Sequence, residues 1–393
     1  MAHKPYNLYK RPTKKPGKYI YYVQFYDETG NRLSAKSTNQ VSKSAAETWA
    51  IEQIKRGLIT SPKNITFGQY AQDWWIWDKC QYIKGRLARG ANLSRSYADS
   101  MRTYLTQHIL PYFENKKLQK ITSKMIEEWL MTLREKSGKT GVPLSHTTVN
   151  HCLTCLKIIL KEAVRLEYLY RSPATGIKQL LEKPKEKSIL TIGEVKELFF
   201  EDNIDHIWSG DLRHFTLNLL AASTGMRMGE VQALMCQYVH KNYIEVFYTW
   251  DRKYGLKKGA KWSSERQIPI PFKTYIYLQE LISISPFKEP TDLVFFGKTK
   301  NKPIYNKTIS DRLYKAFENI GISQEEQKRR NITFHSWRYF YNSLMRGKIH
   351  DSKLRRLTGH KTLEMTEHYT HFKIEDFQDV VKIQEDFFGS KSN

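Results

Sequence analysis

Cysteine is scarce, with four residues in a chain of 393. That is too few for a disulfide framework, so a reducing compartment is expected. No apolar run approaches the roughly 18 residues that a membrane span needs. The first 18 residues are basic and contain proline, which excludes the apolar core of a secretory signal. No GxxxxGK[ST] loop is present, so there is no P-loop for nucleotide-driven chemistry. Neither an internal repeat nor a low-complexity tract occurs. Negative charge is also in short supply: 40 Asp and Glu stand against 64 Lys and Arg, a net charge of +24. A surplus that large implies a polyanionic partner, with nucleic acid first and an anionic membrane surface second. An aromatic fraction of 13 % argues against a disordered polybasic chain. The length suits two or three domains, each with its own core.

Residues 1–63 read as a small basic module, with 12 Lys or Arg against 4 Asp or Glu. Tyr19 to Tyr26 is aromatic and β-branched, which suits a strand. A turn over residues 27–31 then leads into a returning strand over Arg32 to Thr38. Ser42 or Ser44 caps a helix running to about Lys55. Such a sheet-plus-helix can lay its strands in a DNA groove, with Lys18, Arg32 and Lys36 as candidate contacts. Residues 64–181 show helical spacing throughout, from Phe67, Tyr70, Ala71, Trp74 and Trp75 to Val149, Leu153, Leu156, Ile159 and Leu160. Four or five helices in a bundle are expected. Lys84, Arg86, Arg89, Arg95 and Arg102 form a basic stretch around Gly85 and Gly90, read as loop glycines, and are candidates for phosphate contact. Cys152 and Cys155 have CxxC spacing, but they lie in an apolar helical stretch without a second pair and read as core. Residues 182–188 are polar, charged and contain Pro184, which marks a linker. Thr191 and Glu194 form a capping box that opens a new domain over 189–393. There, Tyr243 to Trp250 and Arg266 to Ile270 read as strands and most of the remainder as helix. The fold class is thus multidomain and mainly α with small sheets (α+β).

The last segment carries three motifs in order: Thr224-Gly225-Met226-Arg227-Met228-Gly229-Glu230, His335-Ser336-Trp337-Arg338, and Gly359-His360 with Tyr369 nine positions later. Each alone is weak, but their order and spacing together are hard to obtain by accident. The set resembles the tyrosine recombinase (phage integrase) family, sharply over 189–372 and at the level of domain layout over the whole chain. The resemblance implies that Arg227, His335, Arg338 and His360 surround a scissile phosphate, that Glu230 buttresses Arg227, and that Tyr369 is the nucleophile. It also implies a hairpin lysine between the first two motifs. Counting back from Pro269 favours Lys261, and Lys258 stays open. Trp337 and Tyr339 stand where Leu and a second His are frequent in the family, at positions that are not catalytic.

The chemistry fits these residue types. A phosphodiester is anionic, and cleaving it without a metal requires fixed cationic donors on its non-bridging oxygens. Arginine suits this best, being planar, bidentate and permanently charged. A tyrosine hydroxyl has a pKa of about 10, so neighbouring cations and an imidazole must favour its deprotonation. A hairpin lysine can protonate the leaving 5′-oxygen. His360, His368 and His371 lack a completing set of metal ligands, and neither metal nor cofactor is expected. The resemblance further implies double-stranded DNA as partner at core and arm sites, a homotetramer on DNA from a free monomer, and an excisionase or DNA-bending protein as accessory factor. A cytoplasmic, nucleoid-associated integrase of a mobile element follows from it. The competing readings are a type IB topoisomerase-like nicking-closing activity and a catalytically idle DNA-binding regulator. After Tyr369 an amphipathic helix through Ile374, Phe377, Val380, Val381 and Phe388 must bury its stripe, on its own domain or on a neighbouring protomer.

Overall fold

A computed structural model describes residues 5–13, 15–26, 32–33, 35–55, 65–135, 143–182, 188–200, 203–259 and 265–359. The chain divides into two compact units, Met1–Lys183 and Pro184–Asn393.

The first unit begins with a three-stranded antiparallel sheet in the order β1 (Tyr6–Pro12), β2 (Tyr19–Phe25), β3 (Lys36–Ser37). Leu8 lies opposite Val23 and Tyr9 opposite Tyr22. Strand alternation sends Val23 and Phe25 to one face, where helix α1 (Lys43–Lys55) covers them with Ala50 and Trp49. β1 is an addition to the expected elements: its alternating Tyr6 and Leu8 are followed by Lys10, Arg11 and Pro12, a composition that only an edge strand tolerates. The returning strand is two residues long, preceded by an isolated bridge between Tyr26 and Arg32.

Six helices follow: α2 (Phe67–Ala71), α3 (Gln81–Ala88), α4 (Arg95–Tyr104), α5 (Leu110–Phe113), α6 (Ser123–Glu135) and α7 (His146–Arg165). Their apolar faces form one core that includes Phe67, Trp75, Phe113, Trp129 and Leu156. The helical spacing through Trp75 overstates α2. That helix stops at Ala71, Trp75 has φ +64°, and Arg102 Nη1 donates to the carbonyls of Gln72 (3.0 Å) and Trp74 (2.9 Å). Between α4 and α5 lies a π turn, Leu105–Ile109, where the Leu110 N–H reaches Leu105 O. Pro111 follows without an N–H to continue the regular ladder. Gly85 sits inside α3 rather than in a loop, whereas Gly90 has φ +75°, a conformation glycine adopts without strain. Cys152 and Cys155 are both fully buried, and burial pushes each thiol up to about 12. They are packing residues.

The second unit opens at α8 (Ile192–Phe199), whose N-terminus carries the Thr191/Glu194 capping box. Next come α9 (Ile204–Trp208), α10 (Leu212–Thr224) and α11 (Met228–Gln232). Phe247 divides the expected long strand in two. β4 (Tyr243–Val246) pairs with β7 (Arg266–Pro269), and β5 (Tyr248–Asp251) pairs with β6 (Gly255–Lys258). The chain continues through α12 (Phe272–Ile284), α13 (Asn306–Asn319), α14 (Gln324–Arg330), α15 (Ser336–Met345) and α16 (Asp351–Thr358). α10 runs through the middle of this unit. Nine of its residues are buried, and Asn218 Oδ1 accepts from Trp337 Nε1 on α15 at 2.9 Å. That bond satisfies two polar groups that would otherwise be costly in a core.

Candidate active site

The first motif is a helix break. α10 ends at Thr224, and Gly225 caps it with φ +65°. A side chain at 225 would also meet the Tyr341 ring at 2.7 Å, so glycine is required twice over. Two residues on, Arg227 is the N-cap of α11. Gly229 on α11 lies against β5: a Cβ there would stand 2.7 Å from both Thr249 Oγ1 and the Trp250 carbonyl. The glycines therefore bring the first-motif arginine and the hairpin into close register.

Glu230 is the hub. Its carboxylate accepts from Arg227 Nη1 (2.9 Å) and from the Arg227 backbone N–H (3.0 Å). Arg266 on β7 grips the same carboxylate with Nη2 at 2.7 Å and Nη1 at 3.3 Å. Burial by itself would raise this carboxyl, but Arg266 and then Arg227 overcome it and hold it at about 2. The side chains of Glu230 and Arg266 are each 1 % exposed, whereas that of Arg227 is 22 % exposed. Of the two guanidiniums on this carboxylate, Arg227 is the one that reaches the surface.

The second motif lies at the start of α15. His335 is its half-buried N-cap, with its ring edge-on to Tyr339 at 5.6 Å. Arg338 is fully enclosed. Its Nη1 donates to Gly225 O at 2.8 Å and its Nη2 donates to Thr358 O. One side chain thus ties the turn before Arg227 to the end of α16. Residues from 360 onward, including His360 and Tyr369, lie outside the described residues, as does Lys261. Of the other hairpin lysines, Lys257 is bound to Asp251 Oδ2 at 2.6 Å, while Lys258 is exposed opposite Tyr248. Among the described residues no group of three or more His, Cys, Asp or Glu is placed to hold a metal ion.

Sequence reasoning missed Arg266 as a site residue. The signal was its phase: it alternates with Ile268 on the inward face of β7, where an arginine needs a buried anion. The candidate DNA contacts separate by environment. Lys84, Arg86, Arg89 and Arg95 are exposed on α3, α4 and the turn between them, and Lys18, Arg32 and Lys36 are exposed on the N-terminal sheet module. Arg102 is half-buried and bonded to backbone carbonyls of the α2 turn, which gives it a role inside the fold.

The described residues thus bring together a guanidinium anchored by a buried carboxylate, a second guanidinium bonded to the backbone carbonyl two residues before the first, and a histidine one turn from the latter. Comparison with known proteins gives the chain a family. Residues 189–375 match the phage integrase family, and residues 88–134 match the N-terminal SAM-like domain of phage integrases. The chain is 24 % identical over 292 residues to a tyrosine recombinase of Thermosipho africanus, covering 74 % of this chain and 92 % of the relative. Its fold is similar to that of the Tn1549 transposon integrase solved with transposon right end DNA, with TM-score 0.62 and 17 % identity, over 77 % of this chain and 97 % of that one. It is also similar to lambda integrase in a tetramer bound to a Holliday junction, with TM-score 0.55 and 17 % identity, over 93 % and 95 % of the two chains. The chain belongs to the tyrosine recombinases, site-specific DNA recombination enzymes, and its integrase-type catalytic domain lies in the second unit.

Proposed function

We propose that this recombinase is the integrase of a mobile element, and that Tyr369 attacks a DNA phosphodiester held by Arg227, Arg338, His335 and His360. The observation that carries the reading is the convergence of Arg227, Glu230 and Arg266 with Arg338, whose Nη1 lies 2.8 Å from Gly225 O, just ahead of Arg227. The Tyr369 hydroxyl loses its proton to an imidazole, its oxygen bonds to phosphorus, and the 5′-oxygen leaves. Lys261, with Lys258 as the alternative, protonates that oxygen. The product is a 3′-phosphotyrosyl link that keeps the energy of the broken bond, so a second 5′-hydroxyl reverses the step without ATP. Fixed donors on the developing charge are each worth about 3–4 kcal/mol in a water-excluded site.

Three domains divide the DNA work. In this reading residues 1–63 bind arm-type DNA through the sheet module, with Lys18, Arg32 and Lys36 on phosphates. Residues 64–181 bind core DNA through Lys84, Arg86, Arg89 and Arg95, followed by a 182–188 linker and the catalytic domain over 189–393. Exposed Lys and Arg on both parts of the first unit support the division, and the net charge of +24 supplies the electrostatic footprint. Strand exchange proceeds in a tetramer assembled from monomers on DNA, in a cytoplasmic, nucleoid-associated protein assisted by an excisionase or bending protein. A suicide duplex bearing the attachment site tests the chemistry. The parent chain is expected to form a covalent adduct that disappears in Tyr369→Phe, and an adduct that survives the substitution would remove Tyr369 as nucleophile. Site-independent relaxation of plasmid would favour the topoisomerase-like reading.

A further inference from the structure

Arg266 stands more than thirty residues from each arginine of the motifs, yet its side chain makes contacts on both sides of the site. It closes a fork on Glu230 with Nη2 and Nη1, at 2.7 and 3.3 Å. Its third donor, Nε, reaches the carbonyl of Leu357 at 2.8 Å. Leu357 lies in the last turn of α16, and a helix ends with carbonyls that have no partner in the helix. Here the Gly359 N–H takes Arg355 O, Arg266 takes Leu357 O, and Arg338 takes Thr358 O. Two buried guanidiniums from different elements thus hold the negative end of one helix. From that end the chain runs on to His360 and Tyr369.

We propose that Arg266 is a positioning residue for strand cleavage: through Glu230 it fixes the guanidinium of Arg227, and through Leu357 it fixes the end of α16 from which the nucleophile segment departs. The proposal rests on the reading of Tyr369 and Arg227 given above. Its physical basis is the shape of the group. A guanidinium offers a planar fork and a third N–H pointing elsewhere, so it can serve a carboxylate and a carbonyl together. An ammonium is a point charge and cannot hold both in that geometry. Charge and geometry can therefore be separated by Arg266→Lys, which keeps a cation beside Glu230 and gives up the bridge to Leu357.

The test uses the full chain, with duplex affinity, thermal unfolding and single-turnover cleavage of a suicide duplex measured in parallel. Arg266→Lys is expected to stay folded and to bind duplex within about threefold of the parent, while cleaving at least about tenfold more slowly. A purely structural role would lower affinity and cleavage together. Should Arg266→Lys not fold, the double variant Glu230→Gln/Arg266→Met removes both buried charges at similar volume. It is expected to fold, bind, and show the same selective loss. A folded variant that cleaves at the parental rate, a parallel fall of affinity and cleavage, or failure of both variants to fold would each overturn the positioning role. A parent that forms no adduct would instead overturn the catalytic reading beneath it.

Discussion

Replacing Glu230 by glutamine gives a stability change whose size and pH dependence follow from the structure. The Glu230 side chain is 1 % exposed, and its carboxyl is held at about 2 by Arg266 and Arg227 against the cost of burial. An unperturbed glutamate titrates at about 4.3, and the gap corresponds to about 3 kcal/mol of folding free energy at neutral pH. A depressed carboxyl stabilises the fold fully above its unfolded value and loses that contribution as pH falls toward its folded value. The relevant window is therefore about pH 4.3 down to about 2. Glutamine removes the charge and strands Arg266, whose side chain is 1 % exposed. Removing one partner of a buried pair costs about 3–5 kcal/mol. The assay is urea unfolding of parent and Glu230→Gln at pH values from neutral to about 3, with hydrogen exchange of α10 amides assigning the transition to the second unit. The variant should be less stable by about 3–5 kcal/mol at neutral pH, and the difference should narrow in acid as the parent also becomes neutral at 230. Stability within about 0.5 kcal/mol of the parent at neutral pH, or a difference that does not change down to about pH 3, would refute the account of Glu230 as an ionised hub.

Three further outcomes are expected. Arg227→Ala should slow cleavage by about two to three orders of magnitude while leaving duplex affinity nearly unchanged, measured by single-turnover cleavage and gel shift; a parallel loss of binding would make it a docking contact. Gly229→Ala should push β5 away from α11, because its Cβ would stand 2.7 Å from the Trp250 carbonyl. It should cost about 1–3 kcal/mol and slow cleavage more than it weakens binding, checked by unfolding and the same suicide duplex. Deleting residues 1–63 should abolish arm-site binding and spare core-site cleavage, and normal affinity of the truncated chain for a full attachment site would refute the arm assignment.

What the sequence disclosed and what it withheld differ in physical kind. Local rules are written in short windows. The Thr191/Glu194 box, the run of helix from His146 to Arg165 and the strand at Tyr19 all appear where their periodicity and caps put them. The motif order led to the family, because Arg227, His335 and Arg338 keep their spacing along the chain. Errors arose where a distant side chain overrides the local pattern. Helix α2 stops at Ala71 although the apolar spacing continues to Trp75, and there Arg102 from α4 bonds the carbonyls of Gln72 and Trp74. Arg266 was hidden for the same reason. The neighbouring acid, Glu265, is exposed, and the carboxylate that Arg266 binds, Glu230, lies 36 positions upstream. A buried ion pair is a long-range fact, and its local trace is a charge standing in phase with isoleucines. Such a charge has to find its counterion in the core or be strongly disfavoured there. That rule converts an apparent blemish in a strand into a search for a partner. Applied to β7, it leads to Glu230 and the first of the three motifs.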